Sequence, residues 1–155
     1  MRKLLVLIMF LSTSAFADFS AKVINIIDGD TIDVLTYNNK RIRIRLVDID
    51  APERGQPFVN ESKQFLSSLI TKKVVLIKEQ GQDIYNRMLG TIYYKKQNIN
   101  ELMVLNGYAW AYRYRNKASN KTMIMLETKA KQNHLGLWQE DNPVAPWEFK
   151  RRAIK

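Results

Sequence analysis

The chain contains no cysteine. That absence removes a disulfide framework, a lipid-modified cysteine, a thiolate nucleophile and any zinc–thiolate cluster. There is one histidine, His134, so phosphodiesterase mechanisms built on paired histidines are excluded with it; near a helix end and without flanking ligands, it reads as a surface residue. No apolar run is long. The best of them, residues 4–11, falls short of the ~20 residues that a membrane span needs. Acidic residues are outnumbered, 15 against 25 basic ones, for a formal net charge of +10.

That short apolar run follows Arg2 and Lys3, and Ser12-Thr13-Ser14-Ala15-Phe16-Ala17 closes it with small residues and an A-x-A site. The three-part pattern predicts a cleavable signal peptide over 1–17, cleavage after Ala17, export to the periplasm or beyond, and no stable membrane association afterwards. Loss of Arg2 and Lys3 leaves +8 of the +10, a sign that attracts polyanions. The remaining length suits one domain, expected over 18–142 and monomeric, followed by an irregular basic tail over 143–155 that carries Pro143, Pro146 and Lys150-Arg151-Arg152. With 46% hydrophobic residues the chain can hold a core by packing alone.

Branched apolar residues predict strands over 21–27 and 31–37, the second followed by an Asn38-Asn39 hairpin loop. A third over 41–47 alternates strictly, Ile42, Ile44 and Leu46 facing one way, Arg41, Arg43 and Arg45 the other. Strands over 74–77 and 88–94 follow. A helix is expected over 59–70, with Phe65, Leu66, Leu69 and Ile70 inward. A second opens at an Asn98 cap with Glu101 three residues on and stops at Gly107, and a third over 121–135 places Met123, Leu126 and Ala130 on one face. Five short strands and three helices predict an α+β domain, and a small curved barrel fits strands this short.

Three segments concentrate charge. Asp28-Gly29-Asp30-Thr31, taken alone, reads as an ordinary turn. Arg45-Leu46-Val47-Asp48-Ile49-Asp50-Ala51-Pro52-Glu53 sets an arginine beside oxygen ligands of the kind a hard cation takes, although exposed charges also pair among themselves. In Asp83-Ile84-Tyr85-Asn86-Arg87 the arginine offers a forked donor to a phosphate, and Tyr85 a ring to a base or sugar. Further on, Trp110, Tyr112, Arg113, Tyr114 and Arg115 interleave rings and cations. Either Tyr112 or Tyr114 could face nucleotide with Arg113 and Arg115 at phosphates, or the rings could close the core.

These segments, with Asn100-Glu101, Gly107-Tyr108-Ala109, Gly136-Leu137-Trp138 and Glu140-Asp141-Asn142 in the same order, resemble the staphylococcal nuclease family over nearly all of the chain after residue 17. The resemblance implies a five-stranded OB-fold β-barrel with three helices. It also implies Ca2+ held by Asp30, Asp50 and the backbone carbonyl of Ala51, with Arg45, Glu53 and Arg87 as catalytic residues. DNA and RNA would be the substrates, cut to 3′-phosphate and 5′-hydroxyl ends. Ala51 stands where the best-known member has a hydroxyl residue, Ile84 where it has a lysine, and Asp48 where it has an apolar residue, free to affect the metal or to pair with Arg43. The loop after Glu53 is also shorter. The alternative is a catalytically inactive OB-fold module that only binds nucleic acid.

Overall fold

The computed structural model describes residues 18–115, 117–118 and 120–153; the leader expected over 1–17 lies outside the described residues. β1 (Phe19–Ile26), β2 (Thr31–Thr36) and β3 (Arg41–Leu46) are successive antiparallel neighbours. In β3, Ile44 and Leu46 are fully buried while Arg41 and Arg43 are exposed, the period of two at work. β4 (Ile49–Asp50) leads to α1 (Val59–Ile70), whose Leu66 and Ile70 are buried in the same core as the barrel strands. β5 (Val74–Gln82) pairs with β1 on one side and with β6 (Met88–Tyr94) on the other. It runs beyond the expected end at Ile77, because pairing with β6 satisfies the backbone of a segment whose side chains are polar.

Closure comes from a parallel seam. Ile44 lies opposite Met88, Arg45 opposite Leu89 and Leu46 opposite Gly90, which joins β3 to β6 and completes the expected five-stranded barrel. The interior is mainly branched aliphatic, with Val23, Ile32, Val34, Ile44, Leu46, Ile77 and Ile92 buried together. One polar side chain is built into the seam. Asn100 is fully buried; its Oδ1 accepts from Ile92 N at 3.0 Å, and its Nδ2 donates to Val47 O at 2.9 Å and Gly90 O at 3.2 Å.

β7 (Gln97–Asn98) runs into α2 (Ile99–Leu105). Here Asn98 Oδ1 accepts from Glu101 N at 3.3 Å and its Nδ2 donates back to Glu101 Oε1 at 3.0 Å, the reciprocal cap that the spacing implied. β8 (Trp110–Ala111) pairs with β4, β9 (Arg113–Tyr114) with β10 (Lys117–Ala118), and α3 (Lys121–Gln132) follows. α3 ends before the expected 135 because His134 turns left-handed at φ 49°, and its inner face includes buried Glu127 beside Met123 and Ala130.

The tail is the main correction. Residues 143–145 are irregular as expected, but Pro146–Ala153 forms α4, a fourth helix where three were expected. Pro146 is its first residue, a position that needs no N–H bond. Trp147 holds α4 down, its ring edge-on to Trp110 at 5.5 Å, and Trp110 packs in turn on Trp138 at 4.4 Å. No helix among the described residues is long and apolar enough to cross a membrane.

Outside the barrel, Arg43 is committed to Asp33, with Nε 2.8 Å from Oδ1, so the expected option of an Arg43–Asp48 pair is not the one taken. Asp48 instead accepts from Asn120 Nδ2 at 2.9 Å. The Arg43 hydrogen bonds, helped by Arg41 and opposed by burial, hold Asp33 down at about 2 against an ordinary 3.8. A depressed carboxyl stabilises the fold above its unfolded value and ceases to as pH falls through its folded one. Asp33→Asn is therefore expected to lose about 1–2 kcal/mol at pH 7, discounted for half-exposed arginines. In urea titrations the gap from wild type should shrink between pH 4 and 2; a gap independent of pH would refute it.

Candidate active site

The turn Asp28-Gly29-Asp30 is clamped by close packing. A Cβ on Gly29 would meet the Ser62 side chain of α1 and lie 2.8 Å from the Ala51 Cβ, so only glycine lets the turn approach. Ser62 is itself fixed, donating to Tyr108 O at 2.6 Å. Asp30 N donates to Asp28 Oδ1 at 3.0 Å, and Asp30 Oδ2 accepts from Ala51 N at 2.7 Å. Two acids thus enter one cleft from the β1–β2 turn.

β3 and β4 deliver a guanidinium and a third acid. Arg45 Nη1 donates to Leu46 O at 2.7 Å and Ile49 O at 2.8 Å, Nη2 donates to Asp50 Oδ1 at 2.9 Å, and Nε lies 3.2 Å from Asp30 Oδ1. Burial opposes its charge, but Asp30, then Asp50 and Asp28, outweigh that and raise its pKa. One arginine does not balance three acids. Burial first, and the charge of Asp30 with it, push Asp28 and Asp50 up to about 6. No group of three His, Asp or Glu side chains among the described residues is already arranged to hold a metal. The surplus of buried oxygen donors nevertheless fits a hard divalent cation, and Asp30, Asp50 and the adjoining Ala51 backbone are the groups that would take it.

Arg87 enters from the start of the parallel seam. Its Nε donates to Asp83 Oδ2 at 2.7 Å and its N to Asp83 Oδ1 at 2.9 Å. Burial works against Asp83, but these bonds and one from Tyr85 N lower its pKa. The Nη groups of Arg87 make no hydrogen bond among the described residues, and the guanidinium carbon lies 5.6 Å from the Tyr85 ring centroid.

All of this borders one open cleft of about 870 Å³, lined by Asp28, Asp30, Arg45, Asp50, Glu53 and Arg87, with Tyr85, Tyr112 and Tyr114 along it. Every side chain proposed from the sequence for catalysis, metal binding or stacking therefore lies at or beside one depression. The description "Staphylococcal nuclease homologue" belongs to the family model that matches residues 43–140. Among relatives, a micrococcal nuclease of Shigella flexneri is 42% identical over 94% of this chain and 88% of its own length. An uncharacterized endonuclease of Haemophilus influenzae is 39% identical over 96% and 83%, and protein ParB of Escherichia coli is 37% identical over 94% and 87%.

The chain belongs to the staphylococcal nuclease family. As a family member it departs from expectation at several residues. Arg113, expected as a possible phosphate contact, turns inward instead, its Nη1 3.0 Å from Glu127 Oε1; Ala111 N and Lys131 also bind that buried carboxylate. Of the interleaved rings, Trp110 is buried and closes the core, while Tyr112 and Tyr114 both line the cleft. Arg115 is engaged with its neighbour, 5.3 Å from the Tyr114 ring. Ile84 is exposed on the cleft rim, an apolar contact where the family's best-known member offers a cation. His134 is exposed, as expected.

Two residues of the site were not legible. By sequence Asp28 reads as turn chemistry, yet it shares the cleft. Lys150, expected in a solvated tail, also lines it, with Nζ 2.7 Å from Glu53 Oε1. Nothing in Lys150-Arg151-Arg152 marks which of three adjacent cations faces inward; only the helix phase decides.

Proposed function

We propose that the chain is an exported, calcium-dependent nuclease that hydrolyses phosphodiester bonds in DNA and RNA and leaves 3′-phosphate and 5′-hydroxyl ends. One observation carries the reading: two guanidiniums, a glutamate and a surplus of buried aspartates meet at one cleft. Names of relatives that cover most of their own length support nuclease chemistry.

The physical logic is charge placement. Attack by water on phosphorus adds negative charge to the non-bridging oxygens, and preformed donors in a low-dielectric site stabilise it. A divalent cation held by Asp30, Asp50 and the Ala51 carbonyl would add positive charge beside those oxygens. Arg87, whose Nη groups are uncommitted among the described residues, supplies a planar fork to two oxygens at once. Arg45 has three of its N–H donors in hydrogen bonds and has fewer to spare; it chiefly holds the two aspartates together and lends its charge. Glu53 accepts a hydrogen bond from the attacking water and takes its proton. Breakage of the P–O5′ bond leaves the phosphate on the 3′ side; the departing oxygen takes a proton from solvent to become the 5′-hydroxyl, and Glu53 returns the proton it took to solvent. Tyr85, Tyr112 and Tyr114 give the flanking bases or sugars faces to rest on.

Two measurements test this. Incubation of the purified chain with single- and double-stranded DNA and with RNA should give cleavage with calcium and background rates with excess chelator, and Asp30→Asn should abolish the calcium response. Retention of DNA without cleavage under every divalent cation would favour the binding-only module. For export, expression of the full chain in a bacterium should yield a protein outside the cytoplasm whose N-terminal sequence starts at Asp18. An intact Met1 there would refute the leader.

A further inference from the structure

We propose that Lys150 is a positioning residue for Glu53, so that α4 is a working part of the active site although it lies beyond the residues 43–140 that match the family. The inference rests on the reading of Glu53 as the residue that orients water.

Glu53 sits on a loop, and its side chain is about one-third exposed, 34%. A carboxylate so placed has several rotamers open to it, and fixing one has an entropic cost. The C-terminal segment holds the carboxylate through Lys150 and the loop backbone that carries it through Val144 and Phe149. Lys150 Nζ lies 2.7 Å from Glu53 Oε1. Gln56, itself buried, accepts from Glu53 N at 2.6 Å and donates through Nε2 to Val144 O at 3.0 Å. Gln56 N donates in return to Glu53 O at 2.9 Å, so backbone and side chain of the two residues form a closed ring moored to the tail. Phe149 covers Gly55, with Cζ 3.7 Å from where a Cβ would stand.

The anchor is not free to drift. Trp147, on the same helix, packs edge-on to buried Trp110, and the Arg113 guanidinium lies over Trp147 at 5.3 Å from its centroid. Arg113 is in turn bound to buried Glu127. Rigid packing thus sets where the Lys150 ammonium stands, and one Glu53 oxygen is held while the other remains for water. A half-exposed pair of this kind contributes little to stability on its own. Its effect is therefore on orientation, to which catalysis is far more sensitive than stability is.

The test is Lys150→Met and Lys150→Arg in the full chain, with kcat and KM on DNA in calcium, thermal unfolding, and amide exchange at Glu53 and Gln56. Lys150→Met is expected to lower kcat about tenfold with KM within about threefold, to leave the unfolding midpoint nearly unchanged, and to speed exchange at Glu53. Lys150→Arg should recover most of the rate. Unchanged kcat with an active wild type would overturn the inference. So would a raised kcat, the mark of a restraining contact, or a loss confined to KM, the mark of a phosphate contact. A wild type that cleaves nothing would instead sink the nuclease reading, and unchanged exchange at Glu53 would still refute the positioning contact on its own.

Discussion

Arg87→Ala is expected to reduce kcat for DNA cleavage by about three orders of magnitude, with the fold intact. The size follows from what the residue can do. Its Nη groups are uncommitted among the described residues, and its one guanidinium hydrogen bond is a local one to Asp83. Little structure depends on it, so the loss falls on the transition state. A preorganised donor at a developing oxyanion is worth about 10²–10³ in rate, and an arginine at a transferring phosphoryl group about 10³–10⁵. Arg87→Lys should recover little, since a point charge cannot match two oxygens. The contrast is Arg45→Ala. That change strips a buried guanidinium from Asp30 and Asp50 and leaves uncompensated acids, so stability and activity should fall together. A loss of under tenfold in Arg87→Ala, with an unchanged unfolding curve, would remove Arg87 from the chemistry.

The largest effect on stability should come from Asn100→Ala. Its amide is fully buried and bridges the barrel seam to α2. Removal strands Ile92 N–H and Val47 O, while Gly90 O keeps its bond from Val47 N at 3.0 Å. Each stranded buried group costs about 1–3 kcal/mol, so a loss of about 2–5 kcal/mol is expected as a shift in the urea midpoint at constant slope. Asn100→Asp should be no better, because a carboxylate cannot donate to Val47 O. A shift equivalent to under about 1 kcal/mol would show that water replaces the amide.

Much of this was readable because it depends on local rules. The alternation in residues 41–46 told which side of β3 is wet, and the Asn98–Glu101 spacing located the start of α2. Separated motifs in order point to the candidate site from sequence alone. Other features were illegible for a common reason: they depend on contacts distant in sequence. Glu127 looks like one more charge on an amphipathic helix until Arg113, Lys131 and Ala111 N meet it inside. Asn100 looks like a second-position polar residue in a helix, and nothing nearby in sequence announces Val47, 53 residues away. Pro143 and Pro146 read as helix breakers, whereas Pro146 begins a helix whose purpose is visible only once Trp147 finds Trp110.

The parallel β3–β6 seam has a consequence for when this protein can be dangerous. Arg45 belongs to one strand of the seam, and Arg87 directly precedes the other. A chain that has not yet joined those strands carries both arginines and would still lack the place where, on the proposed mechanism, both meet one phosphate. Under the proposed function, cutting of nucleic acid should therefore appear only once the barrel is complete.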